Sequence, residues 1–471
     1  MDAAEKERMI EYLYSMNRKG PKLGLERMHD LLKRLGDPQD SFIPILIGGT
    51  NGKGSTSAIL TSILRESGYR VGTYTSPHLS SITERIAFDG KGIGEEDLFR
   101  IVKGLEEVSE KIEKEGLSPP TFFEMMTAAA FLYFKEKRCD FAVLEVGMGG
   151  RLDATNVTNP PVSIITNISL EHTKILGDTK AKIAFEKAGI VKHGGLLISE
   201  EKEGEAIGVF ERICKERDSR MMRIGKDILV ERRGYEYASG NPFQEFSISL
   251  PARAADDGGK TKKEFRDLRL GLLGDHQADN ASCAIMAALE LARIGNSRID
   301  EDAIRRGLEK VRWPGRLEVM QERPLVILDC AKDLEAMRSL RENIERHFKP
   351  SAAQGKLVLV VSISSDKDWN GMLDSIIPVS DIVIATAHNV KNRALDPGLI
   401  AKKAADHSKK YLITPGVKDA VKEALVLAGD RGVVVVTGSV FTVGEARSVW
   451  IADGDGSLGR ELNEGPRNED K

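Results

Sequence analysis

A glycine-rich segment near residue 50 has the composition of a loop that binds phosphate. It follows a short apolar run at residues 43–47 and reads GGTNGKGST over residues 48–56. Glycines let backbone N–H groups curl around an anion, and the N-terminus of a following helix adds positive potential. We therefore predict a phosphate loop in which Lys53 reaches a terminal phosphoryl group and the hydroxyls of Ser55 and Thr56 contact phosphate or metal.

The loop departs from the strict Walker pattern at one position. A serine or threonine usually follows the lysine directly, whereas here Gly54 separates Lys53 from Ser55. A glycine-rich turn that merely begins a helix is the structural alternative, but it leaves the order Thr-Asn-Gly-Lys-Gly-Ser unexplained. Nucleotide binding is therefore the interpretation that the loop favours.

Strand-like and helix-like segments alternate around and after this loop. We predict strands at residues 43–47, 71–75, 141–146 and 162–168, and helices at residues 55–67 and 122–137. Alternation of this kind builds a mostly parallel sheet that is covered by helices on both faces. The chain is therefore predicted to begin with a large α/β domain.

The middle of the chain changes pattern twice. Residues 224–250 alternate polar and apolar side chains, which predicts an antiparallel insertion followed by a polar loop at residues 256–263. Predicted helices at residues 279–294 and 300–311 then lead to a Trp-Pro-Gly-Arg sequence at residues 313–316. Because proline and glycine interrupt regular structure, we place a domain boundary there.

A second, smaller α/β unit follows the boundary. Strands are predicted at residues 325–329, 356–363, 382–386 and 432–437, and a last helix at residues 443–451. The polar tail has too little apolar content to fold alone. The predicted organisation is a nucleotide-binding domain at 1–312, a hinge at 313–319, a Rossmann-like domain at 320–451 and a disordered tail at 452–471.

Composition narrows the class of protein. The chain has 471 residues, 41% of them apolar and 30% charged, with a formal net charge of -3. These values argue for two or three domains and against a nucleic-acid or membrane binder. A signal sequence is not evident, and the scattered cysteines form no Cys-x-x-Cys pair, so we expect a cytoplasmic protein whose cysteines are packing residues.

Further segments carry a resemblance over nearly the whole chain. They read SPHL at 76–79, TERI at 83–86, TFFE at 121–124, LEVGMGGRLDATN at 144–156, EHT at 171–173, EKAGI at 186–190, HQ at 276–277, NA at 280–281, PGR at 314–316 and TGS at 437–439. With the phosphate loop, they resemble in order the motifs of folylpolyglutamate synthases and dihydrofolate synthases of the Mur ligase superfamily. The resemblance implies a Mur-ligase-like P-loop ATPase domain and a C-terminal ligase domain.

The resemblance also implies a reaction. ATP phosphorylates a carboxylate, the amine of an amino acid attacks the acyl phosphate, and an amide forms with release of ADP and phosphate. Ser76, Glu145 and His172 match the family's magnesium ligands, and Lys53, His172 and Lys187 match its catalytic residues. Lys187 corresponds to a lysine that is carbamylated in these families, which would turn a cation into a metal-binding anion.

Two of these residues have a structural alternative. Glu145 ends a predicted buried strand, where an unpaired carboxylate would be costly, so the position itself favours a functional role. A histidine such as His172 is more often a buried residue whose ring nitrogens form hydrogen bonds within the protein. Only its place between a strand end and the Lys187 helix favours metal binding.

The resemblance assigns nucleotide contacts on both sides of the predicted hinge. Arg316 corresponds to a phosphate contact and Asp329 to a ribose contact, with capping of the hinge or of the following helix as their alternative roles. The full set of implied ATP contacts is Asn51, Gly52, Lys53, Gly54, Ser55, Thr56, Asn280, Arg316 and Asp329.

Two segments match those that line the pteroate pocket of the family. An aromatic face stacks on a flat heterocycle, and a carboxylate meets ring N–H groups. Because Phe122 and Phe123 begin a long apolar helix, a place in the core is the alternative for them. The implied substrate contacts are Thr121, Phe122, Phe123, Glu124, Leu152, Asp153 and Ala154.

One loop leaves the family pattern. Where these synthases carry Asp-Gly-Ala-His-Asn-Pro, residues 329–334 read Asp-Cys-Ala-Lys-Asp-Leu. In the family this loop faces the meeting point of amino acid and acyl phosphate, so Cys330, Lys332 and Asp333 form an uncertain acceptor loop. Lys332 pairs either with a carboxylate or phosphate of a substrate, or with Asp333 in a purely structural loop.

Three functional hypotheses follow. The first is ATP- and Mg²⁺-dependent ligation of L-glutamate to dihydropteroate, to (tetrahydro)folate or to both. The second is a Mur-type amide ligase with a different amino acid or pterin-like substrate, because of Lys332 and Asp333. The third is a nucleotide-binding relative that has lost ligation. In each case we expect a monomer that binds small molecules.

Overall fold

A mixed eight-stranded sheet organises the first part of the chain. The computed structural model describes residues 3–17, 24–236, 242–250, 263–349, 355–390 and 392–451. The strand order is β4-β3-β2-β5-β1-β6-β7-β8, in which the run from β2 to β8 is parallel and β3 and β4 extend it as an antiparallel edge. The strands are β1 Ile43–Gly48, β2 Val71–Tyr74, β3 Ile86–Phe88, β4 Lys91–Gly92, β5 Phe141–Glu145, β6 Val162–Ile165, β7 Leu196–Ser199 and β8 Arg220–Arg223.

Helices cover both faces of this sheet. One face packs against a core that contains Met125 and Phe131, and the other against a core that contains Ile59 and Ile63. The helices of this part are α1 Ala3–Asn17, α2 Glu26–Arg34, α3 Lys53–Glu66, α4 Glu95–Lys114, α5 Phe122–Glu136, α6 Thr173–Leu176, α7 Lys180–Ala188, α8 Glu205–Glu216, α9 Asp275–Arg293 and α10 Glu301–Lys310.

Burial explains why the central strands are parallel. All five residues of β5 are buried, and β1 is buried except at its first residue. Such continuous apolar strands require cover on both faces, which crossover helices provide. Because parallel strands end at the same edge, the residues that follow β1, β2, β5 and β6 meet there.

The predicted antiparallel insertion is confirmed and is longer than expected. Strands β9 Leu229–Glu236, β10 Phe243–Leu250 and β11 Lys263–Leu270 form an antiparallel sheet in the order β11-β10-β9. Phe246 and Ile248 are buried against the same core as Ile59. Most of the predicted polar loop at 256–263 lies outside the described residues, and its last residue begins β11.

A six-stranded sheet forms the second α/β unit. The order is β12-β13-β17-β14-β15-β16, parallel except between β12 and β13. The strands are β12 Glu318–Glu322, β13 Leu325–Leu328, β14 Leu357–Val361, β15 Ile382–Ala387, β16 Lys410–Gly416 and β17 Val433–Thr437. The helices are α11 Leu334–Asn343, which continues as a π-helical turn over Ile344–Phe348, then α12 Trp369–Ile376, α13 Pro397–Asp406, α14 Val417–Ala428 and α15 Val440–Arg447.

The predicted start of the last helix is wrong for a physical reason. The last helix begins at Val440 rather than residue 443, because the Ser439 side chain accepts a hydrogen bond from the Phe441 N–H and caps it. Strand β12 begins at Glu318, inside the predicted hinge at 313–319. The predicted tail at 452–471 lies outside the described residues.

Across the described ranges of residues 3–451, the structure contains no helix with the length and apolar character needed to cross a bilayer.

The contact between α3 and α10 provides a test of the packing. A Cβ atom added to Gly307 on α10 would lie 2.5 Å from the Cα of Ile63 on α3. Because both sides of this contact are helix backbone, Gly307→Ala should lower the free energy of unfolding by about 1–3 kcal/mol, measured by urea denaturation. Gly104→Ala on α4 is the control: its Cβ would meet no atom within 4 Å, so a gain of about 0.5–1 kcal/mol is expected. Equal effects of the two substitutions would contradict the packing.

Candidate functional site

The phosphate loop joins β1 to α3 and is held by the end of β6. The Asn51 N–H donates to Asn167 Oδ1 at 2.9 Å, and the Thr50 N–H donates to the Asn167 carbonyl at 2.9 Å. Gly52 has a φ of 87° in the left-handed region, where a side chain would be strained, and α3 begins at the next residue. The predicted loop is therefore present, with α3 starting at Lys53 rather than residue 55.

Two buried lysines converge on one carbonyl of this loop. Lys53 Nζ donates to the carbonyl oxygens of Gly49 and Thr50 at 3.1 and 2.9 Å, and Lys187 Nζ donates to the Gly49 carbonyl at 2.6 Å. Burial lowers the pKa of Lys53. Burial, together with the charge of Lys53, lowers the pKa of Lys187 to about 7. A large fraction of Lys187 is therefore a neutral amine near neutral pH.

Ser76 and Glu145 meet at the carboxyl ends of adjacent strands. Glu145 ends β5 and is 5% exposed, and its Oε2 accepts a hydrogen bond from the Ser76 N–H at 3.0 Å. Burial raises the pKa of Glu145, whereas the nearby Lys53 ammonium lowers it. The structure therefore brings together two of the three predicted metal ligands.

The third predicted ligand, His172, lies at the start of α6. Its backbone has a φ of 53°, a left-handed conformation that is uncommon for histidine, and its side chain is 43% exposed. His172 Nε2 is 3.8 Å from Glu171 Oε1. Burial lowers the pKa of His172 and outweighs the opposing effect of Glu171, so the imidazole is neutral at neutral pH. In the described part of the chain, no group of three or more His, Cys, Asp or Glu side chains is arranged to hold a metal.

A cavity of about 230 Å³ lies between the phosphate loop and the second α/β unit. Predicted nucleotide contacts from both units line it, namely Asn51, Gly52, Ser55, Asn280, Arg316 and Asp329. Other lining residues were not predicted, among them Asn167, Glu200, His276, Leu317, Ala336, Ser339 and Leu340. Of these, only His276 fell within a motif that carries the family resemblance.

Hydrogen bonds connect the floor of the cavity to α9. Thr56 Oγ1 donates to the Gly52 carbonyl at 3.0 Å and lies 3.2 Å from Asn280 Oδ1. Asn280 Nδ2 donates to Gln277 Oε1 at 2.9 Å, and Gln277 Nε2 donates to Ser55 Oγ at 3.2 Å. These bonds fix α9 against the first turn of α3.

Gly54 has a different neighbour, the indole of Trp313. A Cβ added to Gly54 would lie 3.1 Å from the indole ring, so this position of the loop is in close contact with the predicted hinge.

Asp329 organises the opposite wall of the cavity. Its Oδ2 accepts from the Leu317 N–H and its Oδ1 from the Ala331 N–H, each at 2.9 Å. Burial raises the pKa of Asp329, and the Arg316 guanidinium lowers it. Asp329 therefore braces the loop beside Arg316, while the cap of α11 is provided by Asp333, whose side chain accepts from the Ala336 N–H.

Lys332 and Asp333 have separate partners. Lys332 Nζ lies 3.6 Å from Glu171 Oε1, whereas Asp333 Oδ1 accepts from the Ala336 N–H at 2.9 Å and from Asn51 Nδ2 at 3.4 Å. Burial raises the pKa of Glu171, but Lys332, Lys53 and His172 together lower it to about 2. Glu171 is thus an anion close to Lys332 and Lys53; it belongs to the EHT segment at 171–173, but no role was predicted for it.

The predicted pterin contacts have clear structural roles. Thr121 and Glu124 form the capping box of α5, and Glu124 also pairs with Arg27 at 3.0 Å. Phe122 and Ala154 are buried, whereas Phe123 and Leu152 are partly exposed. Only these last two side chains combine apolar surface with access to a ligand.

Asp153 fixes the loop that follows β5. Its carboxylate accepts from the N–H groups of Gly147, Met148 and Thr155 at 3.0 Å and from Thr155 Oγ1 at 2.6 Å.

Two family models match the chain. The Mur ligase middle domain matches residues 47–288, and the Mur ligase glutamate ligase domain matches residues 315–440. The chain is 34% identical over 429 residues to a dihydrofolate synthase/folylpolyglutamate synthase of Bacillus subtilis, covering 91% of this chain and 95% of that relative.

Solved structures agree with these matches over the full length. A folylpolyglutamate synthase from Thermotoga maritima superposes with a TM-score of 0.81 at 34% identity, covering 98% of this chain and 99% of that one. A Mycobacterium tuberculosis folylpolyglutamate synthase complexed with ADP and AMPPCP gives a TM-score of 0.80 at 30% identity, covering 98% and 100% of the two chains.

Substitution of Asp153 tests whether its carboxylate mainly stabilises the loop after β5, through the hydrogen bonds from Gly147, Met148 and Thr155. Asp153→Ala would leave the buried donors that face it without an acceptor, so the free energy of unfolding should fall by about 2–4 kcal/mol in urea denaturation. The neighbouring Leu152→Ala is the control and should cost under about 1 kcal/mol, because Leu152 is already partly exposed. Unchanged stability of Asp153→Ala would mean that the carboxylate is available to a ligand instead.

Proposed function

The chain belongs to the dihydrofolate synthase and folylpolyglutamate synthase family of Mur ligases, and on that premise we propose that it joins L-glutamate to dihydropteroate, to (tetrahydro)folate or to both. ATP phosphorylates the acceptor carboxylate, the glutamate amine attacks the acyl phosphate, and the amide forms as phosphate leaves. The observation that carries the proposal is the single cavity lined by the phosphate loop on one side and by Arg316 and Asp329 on the other.

The nucleotide is held from both sides of this cavity. The N–H groups of residues 52–55, at the N-terminus of α3, receive the phosphates, and Lys53 exchanges the carbonyls of Gly49 and Thr50 for phosphate oxygens. Arg316 adds a second cation for phosphate, and Asp329 contacts the ribose. Asn280 lies beside Gly52, where its amide faces the nucleotide.

The residues near the loop fit a magnesium ion. Glu145 is a buried carboxylate in need of a cation, Ser76 contributes a hydroxyl, and His172 contributes a neutral imidazole. When bound, Mg²⁺ neutralises charge that develops on the transferred phosphoryl group. Lys53, whose ammonium is near Glu145, would stabilise the same charge.

Phe123 and Leu152 are the best candidates for contact with the pterin ring. Their partly exposed side chains lie near the loop that Asp153 holds, and an aromatic face suits a flat heterocycle. Thr121, Phe122, Glu124, Asp153 and Ala154 then shape the pocket from beneath.

The position of Lys332 favours glutamate ligation over ligation of a different amino acid or pterin-like substrate. Its ammonium pairs with Glu171 and lies among the charges around Lys53, so the departure from the family's His-Asn pair still leaves a polar, cationic loop. A different amino acid or pterin-like acceptor remains the second candidate function, and the product of the assay below separates the two.

We also propose the domain organisation, the oligomeric state and the cellular location of the protein. Residues 1–312 and 320–451 act as two units joined at 313–319, and their closure excludes water from the acyl phosphate. The protein works as a monomer in the cytoplasm, where the free thiols of its buried cysteines stay reduced.

The direct test is ADP formation with Mg²⁺ and L-glutamate, comparing dihydropteroate, tetrahydrofolate and no acceptor, with mass spectrometry of the products. A glutamyl adduct is expected, and the acceptor that reacts shows which of the two activities is present. Absence of any adduct with either acceptor would overturn the proposal, and turnover with another amine would favour the second candidate.

Lys53→Ala should reduce ADP formation by more than about a hundredfold, because it removes the cation that meets the phosphoryl group. Lys182→Ala is the matched control, since Lys182 is an exposed lysine on α7 whose ammonium pairs with Asp178 at 2.8 Å. Normal turnover by Lys53→Ala would refute the assignment of the phosphate loop.

Carbamylation of Lys187 has its own test. Only a neutral amine attacks CO₂, forming an N–C bond with loss of one proton, and burial lowers the pKa of Lys187 to about 7. With ¹³C-bicarbonate, a carbamate signal should therefore appear in the ¹³C NMR spectrum and grow as pH rises through about 7. Lys187→Arg should lack the signal. An identical signal in that variant would place the carbamate elsewhere.

A further inference from the structure

The end of the cavity away from the phosphate loop contains an unassigned carboxyl group. The strand order β1-β6-β7 places the phosphate loop, Asn167 and Glu200 in succession along one edge of the sheet. Neighbouring strands lie about 4.8 Å apart, so Glu200 is about 10 Å from the strand that carries the loop. Asn167 supports the loop, whereas Glu200 is available to the part of a nucleotide distant from its phosphates.

Glu200 lacks a full set of partners within the protein. Its Oε1 is shielded from solvent and accepts no hydrogen bond from the described residues. The Cys283 thiol, on α9, is a hydrogen-bonding neighbour. Burial, with the negative charge of Asp279, raises the pKa of Glu200 well above its usual range. A buried polar atom without a partner is costly, so the position favours a ligand.

The walls beside Glu200 suit a planar ring. Leu317, Ala336 and Leu340 contribute apolar surface, and His276 contributes an imidazole whose Nδ1 lies 3.2 Å from Ser339 Oγ. Burial and the nearby Arg316 lower the pKa of His276 to about 4, so this ring is neutral. Apolar walls and a buried carboxyl oxygen without a partner match a purine better than a sugar or a phosphate.

We propose that Glu200 reads the base of the nucleotide, with a carboxyl oxygen accepting a hydrogen bond from the exocyclic amine of adenine. The inference rests on the proposed function only for the presence of a nucleotide in this cavity. It assigns base selectivity to a residue that follows β7 rather than to the phosphate loop.

The protonation state of Glu200 decides which purine is preferred. A neutral carboxyl group presents an acceptor beside a donor, which matches the amine and N1 of adenine. A charged carboxylate presents acceptors alone, which match the N1–H and amine of guanine. The low-dielectric surroundings and Asp279 favour the neutral form, and therefore adenine.

The test compares Mg²⁺-ADP with the diphosphate of purine riboside, which carries hydrogen in place of the amine, by isothermal titration calorimetry. The unmodified protein should bind ADP about tenfold more tightly, the value of one hydrogen bond. Glu200→Ala should bind the two nucleotides equally. Glu200→Gln should keep the preference, because an amide also presents an acceptor beside a donor.

Glu335→Ala is the matched control, since Glu335 lines the same cavity from α11 but is exposed, and it should retain the tenfold preference. Equal affinities in the unmodified protein would overturn the inference without any variant, as would an undiminished preference in Glu200→Ala. Binding of neither nucleotide would instead refute the nucleotide site itself, and the proposed function with it.

Discussion

The carbonyl oxygen of Gly49 accepts hydrogen bonds from two buried ammonium groups, those of Lys53 and Lys187. Two like charges so close in a site with little water repel strongly, and the lowered pKa of Lys187 relieves that repulsion. The arrangement requires negative charge nearby, which Glu145 and Glu171 supply. The Gly49 carbonyl thus brings together lysines whose protonation depends on burial and on the charges of their neighbours.

The balance between lysine and glutamate charges also explains how the chain accommodates the loop at residues 329–334, which departs from the family pattern. Lys332 adds one positive charge near Lys53. Glu171, whose pKa of about 2 keeps it ionised at neutral pH, lies 3.6 Å from Lys332 and compensates that charge. Asp333 meanwhile caps α11. The altered loop therefore preserves both the local charge and the start of the helix that walls the cavity.

Most strands whose burial is uniform were predicted from the sequence, with β7 as an exception. The strands at residues 43–47 and 141–146 appear as β1 and β5, because a continuous apolar strand is stable only where both of its faces are buried, as in the centre of a parallel sheet. Strands β12 and β16 were missed because they are edge strands in which polar and apolar residues mix and burial is partial. Edge strands depend on a neighbouring strand, and a single sequence does not show which neighbour is available.

Prediction of the site residues was limited in the same way, because a single sequence does not show which strands are neighbours. Ser76, Glu145 and Lys187 were selected from motifs, and strand order brings Ser76 and Glu145 together. Glu200 was not selected, although a carboxylate directly after a buried strand is the very feature that singled out Glu145. The buried run at residues 196–199 was not recognised as a strand, so its position beside β6 could not be inferred.

The contact between Gly54 and Trp313 accounts for the departure of the phosphate loop from the Walker order. The volume that a serine or threonine side chain would fill after the lysine is taken by the indole of a residue some 260 positions later in the chain. Restoring the hydroxyl would displace the tryptophan, and shrinking the tryptophan would leave a void beside the phosphates. These two positions are therefore in close steric contact, and the connection to the second α/β unit is part of the nucleotide site's own packing.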